Sequence, residues 1–372
     1  YALFEIPSGA LGDRIGPRAV FIRIVLWWSL FTALTGLATG LVSLLIMRFL
    51  FGIGESGTYP NSMIVISRWF PANETGRSLT WVGIGSQIGS AIAPLIIVPL
   101  AVSYGWRMPF FVNGAIGVIW VLICYLWFRN FPSEMKHIPE KEKQLIKANC
   151  RHSDQQHLIP WKFIFSNRTL WALMLMYFCF QWAQYFFVAW MPVYLQEGRH
   201  FSENEMKGIT SVLFIIGIGG FFAGGFAADW MVRKKGLRFG RRFIGMTGLG
   251  MCGVLIFLTA ILSSNNMAAF SLMAANAFFS FGVMSSYGVC TDIGRNNAGT
   301  VTGAMNFFGQ MGAFFLAIIF GKIADAMHSF TYPLFVLAAV LLIGCLLWLA
   351  IDPTKQVTIK TEDKELKEKS VL

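Results

Sequence analysis

Ser8-Gly9-Ala10-Leu11-Gly12-Asp13-Arg14-Ile15-Gly16-Pro17-Arg18 closes an apolar run with small residues, one carboxylate and then cations. The same order returns far along the chain as Gly224-Gly225-Phe226-Ala227-Ala228-Asp229-Trp230, followed by the basic run Arg233-Lys234-Lys235-Gly236. A second register joins the same two regions: Gly76, Gln87 and Gly89 align with Gly299, Gln310 and Gly312 at one common offset. Similarity at a fixed long offset marks two related halves. Between them lies the longest polar stretch, about 129–168, which carries Pro132, Pro139, Pro160 and mixed charges and reads as a linker with room for a short surface helix.

Working outward, apolar runs recur near 1–11, 19–38, 41–66, 78–102, 108–128, 169–195, 208–230, 243–262, 267–290, 298–324 and 330–351. Most are about 18 to 25 residues long, enough to cross a hydrocarbon core of about 30 Å as a helix. The 372 residues are 55% hydrophobic and only 13% charged, which excludes a soluble or disordered protein. Continuous runs rich in Leu, Ile, Phe and Gly also exclude a barrel, whose strands alternate in short segments. The expected fold is therefore all-α integral membrane, two helical bundles related by a pseudo-two-fold repeat. The first run opens at Tyr1 without Met, so the expectation is that a first helix of twelve precedes this sequence. The domains expected are an N-terminal bundle over 1–128 (helices 2–6), the linker 129–168, a C-terminal bundle over 169–351 (helices 7–12) and a tail over 352–372.

Loop charges test that count, because alternate loops of a helical membrane protein carry the Lys and Arg excess on the cytoplasmic side. All but five of the thirty basic residues fall on one side; the exceptions are Arg48, Arg107, Arg199, Lys207 and Lys322. The expectation is a plasma membrane protein with a cytoplasmic C-terminus. The net charge of +11 then reports topology rather than a nucleic-acid partner. Six scattered cysteines without CxxC spacing, and five histidines confined to loops or span ends, offer no metal site. No GxxxxGK[ST], HExxH or GxSxG occurs, so neither a cofactor nor enzyme chemistry is expected.

Asp13, Arg14, Arg18 and Asp229 have the chemistry of a gate: carboxylates at helix ends can pair with nearby guanidinium groups across one mouth of the bundle and hold one conformation. The competing reading is that the cations merely obey the positive-inside rule. Arg48 and Glu55 stand out more sharply. Both lie inside the 41–66 run, where an ionisable group costs at least about 2.5–3.5 kcal/mol at the centre. Seven residues apart, they share a helix face about 10 Å apart along the axis. A carboxyl whose surroundings change between apolar and cationic takes up and releases a proton, so Glu55 reads as a proton carrier, the alternative being a structural pair with another helix. Arg48 reads as a planar fork for a substrate carboxylate or as the partner that couples it to Glu55, the alternative being simple access to water at the end of its span. Gln87, Asn306, Ser285, Gln184 and Tyr185 offer amides and hydroxyls within other spans.

The segment GALGDRIGPR resembles the signature loop of the major facilitator superfamily, and GGFAADWMVRKKG resembles its repeat. Within that superfamily, Arg48-Phe49-Leu50-Phe51-Gly52-Ile53-Gly54-Glu55-Ser56-Gly57, Ser67-Arg68-Trp69-Phe70-Pro71 and Glu74-Thr75-Gly76-Arg77 resemble the anion:cation symporter family, which includes bacterial hexuronate, galactonate and glucarate transporters and animal sialin and vesicular glutamate carriers. The RWFP segment and the short linker point to the bacterial side of that family, hence an inner membrane. The resemblance implies substrate contacts at Gln87, Asn306 and, from helix 2, Tyr1. It supports the acidic position at Glu55 as the proton site. The expected activity is proton-coupled symport of a sugar acid (hexonate, hexuronate or glucarate) by alternating access, with a small organic anion, protons and the lipid bilayer as partners of a monomer. The competing expectation is a facilitator or exchanger of another organic anion, such as an aromatic acid or dicarboxylate.

Overall fold

The computed structural model describes residues 1–71, 74–135, 137–149 and 167–355, with the side chains of 87, 90, 91, 94, 95 and 147–149 left aside. The expected linker therefore lies partly outside the described residues, as does the tail beyond 355. Every regular element among the described residues is helical. The first half contains α1 (Ala2–Ile15), α2 (Pro17–Thr35), α3 (Leu41–Glu55), α4 (Thr58–Trp69), α5 (Thr75–Tyr104) and α6 (Met108–Trp127). A surface helix α7 (Glu140–Asn149) follows. The second half contains α8 (Arg168–Tyr185), which runs on through wide turns to Gly198, then α9 (Glu203–Lys235), α10 (Leu237–Ile261), α11 (Asn265–Gly294), α12 (Ala298–Met327) and α13 (Tyr332–Leu347).

The helix ends follow from local chemistry. Asn167 starts α8 by accepting from the amides of Thr169 at 2.9 Å and Leu170 at 3.3 Å. Ser202 and Glu205 form a reciprocal capping box at α9. Proline occupies the first turn of α2, α6 and α13, where no intrahelical amide is lost. At the end of each repeated small-residue motif one glycine takes positive φ, Gly16 at 90° and Gly236 at 84°, and turns the chain directly into the next helix.

The apolar run 41–66 is not one helix. It breaks at Ser56 and Gly57, the latter at φ 94°, and α4 starts again behind it. A Cβ on Gly57 would come within 2.0 Å of Ser8 Oγ, so only glycine lets α1 cross at this break. The break leaves Glu55 at the C-terminal end of α3 rather than in mid-helix.

The two halves meet most closely at two crossings, α1 against α12 and α5 against α9, and α4 packs on α12 and α11 between them. Both are made of opposed glycines: a Cβ on Gly9 would sit 2.2 Å from the Gly299 carbonyl oxygen, and one on Gly76 would sit 2.5 Å from that of Gly225. Backbones can approach this closely only where both side chains are absent. Small residues before each Asp thus have a packing reason in addition to their place in the repeat.

Two of the cations counted on the basic side bond to a neighbouring helix. Arg23 on α2 donates to Ser8 Oγ at 2.9 Å. Arg241 on α10 is fully buried and donates through Nε to Asp292 on α11 at 2.9 Å. Proximity in sequence to the Arg233–Arg242 basic run conceals the difference, because α10 begins at Leu237, only four residues earlier than Arg241.

Candidate functional site

A cavity of about 900 Å³ lies between the halves, walled by α1, α4 and α5 on one side and by α8, α9, α11 and α12 on the other. Its polar lining is aromatic and amide. Tyr59 and Tyr287 stack across the interface with centroids 5.4 Å apart, and the Tyr287 hydroxyl lies 2.8 Å from that of Tyr177. Tyr185 donates to Gln310 Oε1 at 3.2 Å. Of the residues nominated from the sequence, Tyr1, Gln184, Tyr185 and Asn306 line the cavity. No Lys or Arg is among the described lining residues, so an anion entering here meets hydroxyls and amides first.

Beyond one end of the cavity two carboxylates join the halves. Asp13, on α1, accepts from the amides of Gly299 at 3.1 Å and Thr300 at 2.8 Å and from the Thr300 hydroxyl at 2.5 Å. Asp229, on α9, accepts from the amides of Gly76 at 2.8 Å and Arg77 at 3.0 Å. Each binds the N-terminal turn of a helix in the opposite half, where free N–H groups and the helix dipole favour a negative charge. The expected partners were guanidinium groups. Arg14 instead is exposed and makes no ion pair among the described residues, while the Arg18 guanidinium donates to the Tyr125 carbonyl and lies over the Tyr125 ring, its backbone amide donating to Asn130 Oδ1. Asn306 lies seven residues, or about 10 Å, beyond the Gly299 contact along α12. The cavity therefore extends away from the basic end, where these contacts join the halves.

Glu5, which sequence reasoning passed over, is fully buried on α1 against the same wall. Both of its carboxyl oxygens lie 3.5 Å from Asn306 Nδ2, and Tyr1 is its other hydrogen-bonding neighbour. No Lys or Arg pairs with it among the described residues. The signal was available, since an acid within the apolar run Tyr1–Leu11 satisfies the argument applied to Glu55. Tyr59 and Tyr177 also line the cavity, but nothing in the sequence separates them from tyrosines used for packing.

The remaining nominated residues are placed elsewhere. Arg48 is exposed, its guanidinium 5.9 Å from the ring centres of both Phe51 and Phe110, and it does not line the cavity. Glu55 is half-buried at the α3 break, near enough to Tyr1 and Tyr185 to act on them electrostatically. Ser285 faces α10, where its hydroxyl donates to the Arg241 carbonyl at 2.7 Å. The Gln87 side chain lies outside the described residues.

Residues 1–317 match the family described as Major Facilitator Superfamily. A hexuronate transporter of Bacillus subtilis is 31% identical over 89% of this chain and 78% of its own length. A probable sulfoacetate transporter of Cupriavidus necator is 28% identical over 98% of this chain and 85% of its own. Among solved structures, a fucose:proton symporter of Escherichia coli superposes with a TM-score of 0.68 at 14% identity, covering 93% of this chain and 87% of that one.

Proposed function

The chain belongs to the Major Facilitator Superfamily and is a multi-pass membrane transporter, and on that premise we propose that it carries a sugar acid by alternating access, coupled to protons. The observation that carries this reading is the cavity itself: a space of about 900 Å³ at the interface of the two halves, lined by tyrosine hydroxyls and amides, with the halves joined beyond one end by Asp13 and Asp229. A site at the repeat interface, open to one side, is what a rocking mechanism requires. Hydroxyl and amide groups suit a polyhydroxylated acid, because each substrate hydroxyl both donates and accepts. The names of the hexuronate and sulfoacetate relatives support an organic anion.

In this reading Glu55 carries the proton, standing at a helix break beside Tyr1 and Tyr185. Protonation of Glu55 together with entry of a carboxylate would leave less net charge to move through the bilayer as the halves rock. Arg48, one face away from the cavity, would couple to Glu55 rather than grip the substrate. The basic end is assigned to the cytoplasm by the positive-inside rule, which places the closed mouth there and the cavity open outward. The protein would work as a monomer in a bacterial inner membrane.

Uptake into proteoliposomes tests this. Labelled galactonate, glucuronate and glucarate are supplied with and without an inward proton gradient. Accumulation of an acid above its external concentration only with the gradient supports coupled symport. Equilibration that ignores the gradient removes the proton step, and absence of uptake of all three removes the sugar-acid reading.

A further inference from the structure

A second hollow, of about 250 Å³, lies at the basic end of the second half, apart from the central cavity. Four cations from three separate segments line it: Arg168 opens α8, Arg238 and Arg242 stand one turn apart on α10, and Lys355 follows the last helix. Asp352 is the one carboxylate among the described lining residues, and its oxygens are engaged. Oδ1 accepts from the Thr354 amide at 3.2 Å and the Thr354 hydroxyl at 2.6 Å, and Oδ2 lies 3.6 Å from Arg238 Nε. Arg242 Nε donates to the Ile351 carbonyl at 2.6 Å, which anchors the side chain to the chain just beyond α13 and leaves its Nη atoms without a hydrogen bond among the described residues. Arg168 and Lys355 make no ion pair among those residues. A bias of cations toward one side of a membrane does not require them to converge on one hollow. Cations gathered there repel one another unless an anion lies among them.

The rest of the wall includes Leu349 and Ala350, both exposed. From Leu349 an exposed apolar stripe runs back along α13 through Leu346 and Ile343, residues three apart and so neighbours on one side of the helix. In a chain that spans a membrane such a stripe meets lipid tails. We propose that the hollow binds the phosphate of an anionic phospholipid whose acyl chains lie along this stripe. Guanidinium groups take phosphate oxygens through paired N–H donors and an ammonium adds a point charge, so Arg168, Arg238, Arg242 and Lys355 have the chemistry the headgroup needs. Thr169 adds a hydroxyl, and the start of α8 adds a helix dipole of the favourable sign. Basic pockets between spanning helices suit anionic headgroups in general. Free phosphate would satisfy the cations and leave the stripe unused; the continuity of a cationic hollow with an apolar stripe selects the lipid. The bound headgroup ties the start of α8, α10 and the chain beyond α13 to one another. The proposal needs only that the chain spans a membrane, and is independent of which anion it carries.

Binding of dioleoyl phosphatidylglycerol and dioleoyl phosphatidylcholine to the full chain, delipidated in neutral detergent, tests the proposal by native mass spectrometry. The two lipids share their tails and differ in headgroup charge. Phosphatidylglycerol is expected to half-saturate the wild type at a concentration at least about tenfold lower than phosphatidylcholine. The triple variant Arg168→Gln, Arg238→Gln, Lys355→Gln is expected to lose that preference; Arg242 is kept because it holds Ile351. A control with Arg233→Gln, Lys234→Gln and Lys235→Gln removes as much charge from the same end of the molecule, at the end of α9, and is expected to keep the preference. Should the triple variant fail to fold, Lys355→Glu, beyond the last helix, is expected to weaken phosphatidylglycerol binding at least about threefold. Inorganic phosphate is expected to displace the lipid only at far higher concentration. Equal affinity of the wild type for the two lipids overturns the proposal, as does a preference that survives the triple variant or an unchanged affinity in Lys355→Glu. Equal loss in the control overturns it too, since the attraction is then diffuse, and displacement by phosphate at the lipid's own concentration assigns the hollow to the free ion instead.

Discussion

Asp13 accepts from the amide of Thr300 at 2.8 Å, a contact between residues of opposite halves that ties the end of α1 to the start of α12. Its counterpart runs the other way, from Asp229 to Gly76. The carboxylates of the two repeated motifs and the helix starts related by the repeat register are therefore each other's partners. A charge-assisted hydrogen bond contributes about 1.5–3 kcal/mol, and Asp13 receives three where Asp229 receives two. Asp13→Ala is expected to shift the equilibrium between closed and open basic ends by at least about tenfold toward open. Asp229→Ala is expected to do the same by less. Distances between spin labels on the basic ends of α1 and α12 report the populations; an unchanged distribution in Asp13→Ala would show that the contact is incidental.

The glycine crossings make a separate prediction. Gly9→Val places two methyl groups where a single Cβ already meets the Gly299 carbonyl at 2.2 Å. The helices must separate, at a cost of about 1–3 kcal/mol typical of overpacking. That separation stretches the Asp13 contacts nearby. Gly9→Val is therefore expected to open the basic end as Asp13→Ala does, whereas Gly85→Val, where a Cβ would meet nothing within 4 Å, is not. Alkylation rates of single cysteines introduced at the basic mouth compare the two.

Much of this architecture was readable because a helix that crosses a bilayer must satisfy its backbone internally and face lipid with apolar groups, which imposes long runs that nothing in a soluble protein imitates. The Asp13 and Asp229 motifs were legible as a repeated pair of carboxylates at helix ends, but their partners were not. Every residue but proline carries a backbone amide, so no residue type marks the partners of Asp13 and Asp229, whereas the adjacent arginines are explicit in the sequence. The break at Ser56–Gly57 was hidden for a similar reason, since the glycines around Glu55 fit close packing and a bend equally well. Arg241 shows the limit of charge counting: it sits within a basic stretch and yet turns inward to Asp292. Glu5 was the plainest omission, an acid in an apolar run beside the tyrosine that had been nominated.

The Arg241–Asp292 pair supports a stability prediction. Both side chains are fully buried, and the Arg241 Nη1 and Nη2 atoms have no hydrogen-bond partner among the described residues. Removing Asp292 leaves the buried Arg241 guanidinium without its carboxylate between α10 and α11, which costs about 3–5 kcal/mol. Asp292→Leu and Arg241→Leu are each expected to lower the melting temperature of the detergent-solubilised protein sharply. The double variant Arg241→Leu with Asp292→Leu is expected to recover most of the loss seen in Asp292→Leu, because no buried guanidinium is then left without its carboxylate. A double variant as unstable as the sum of the two singles means the damage is steric rather than electrostatic.

Glu55 decides between the coupled and uncoupled mechanisms. It stands at the end of α3, half-buried, within electrostatic reach of Arg48 and of two tyrosines that line the cavity. Gln has nearly the same shape and hydrogen-bonding capacity but no proton to exchange. If the proton released by Glu55 drives transport, Glu55→Gln loses accumulation against a gradient. Exchange of external for internal substrate needs no net proton movement, so it is expected to persist at a rate within about tenfold of the wild type, the ordinary cost of a one-atom change that keeps the fold. Uptake and exchange measured on the same proteoliposomes separate these. Loss of both means that Glu55 is needed for binding or folding, and retention of concentrative uptake moves the proton to another carboxyl, of which Glu5 is the buried one facing the cavity wall.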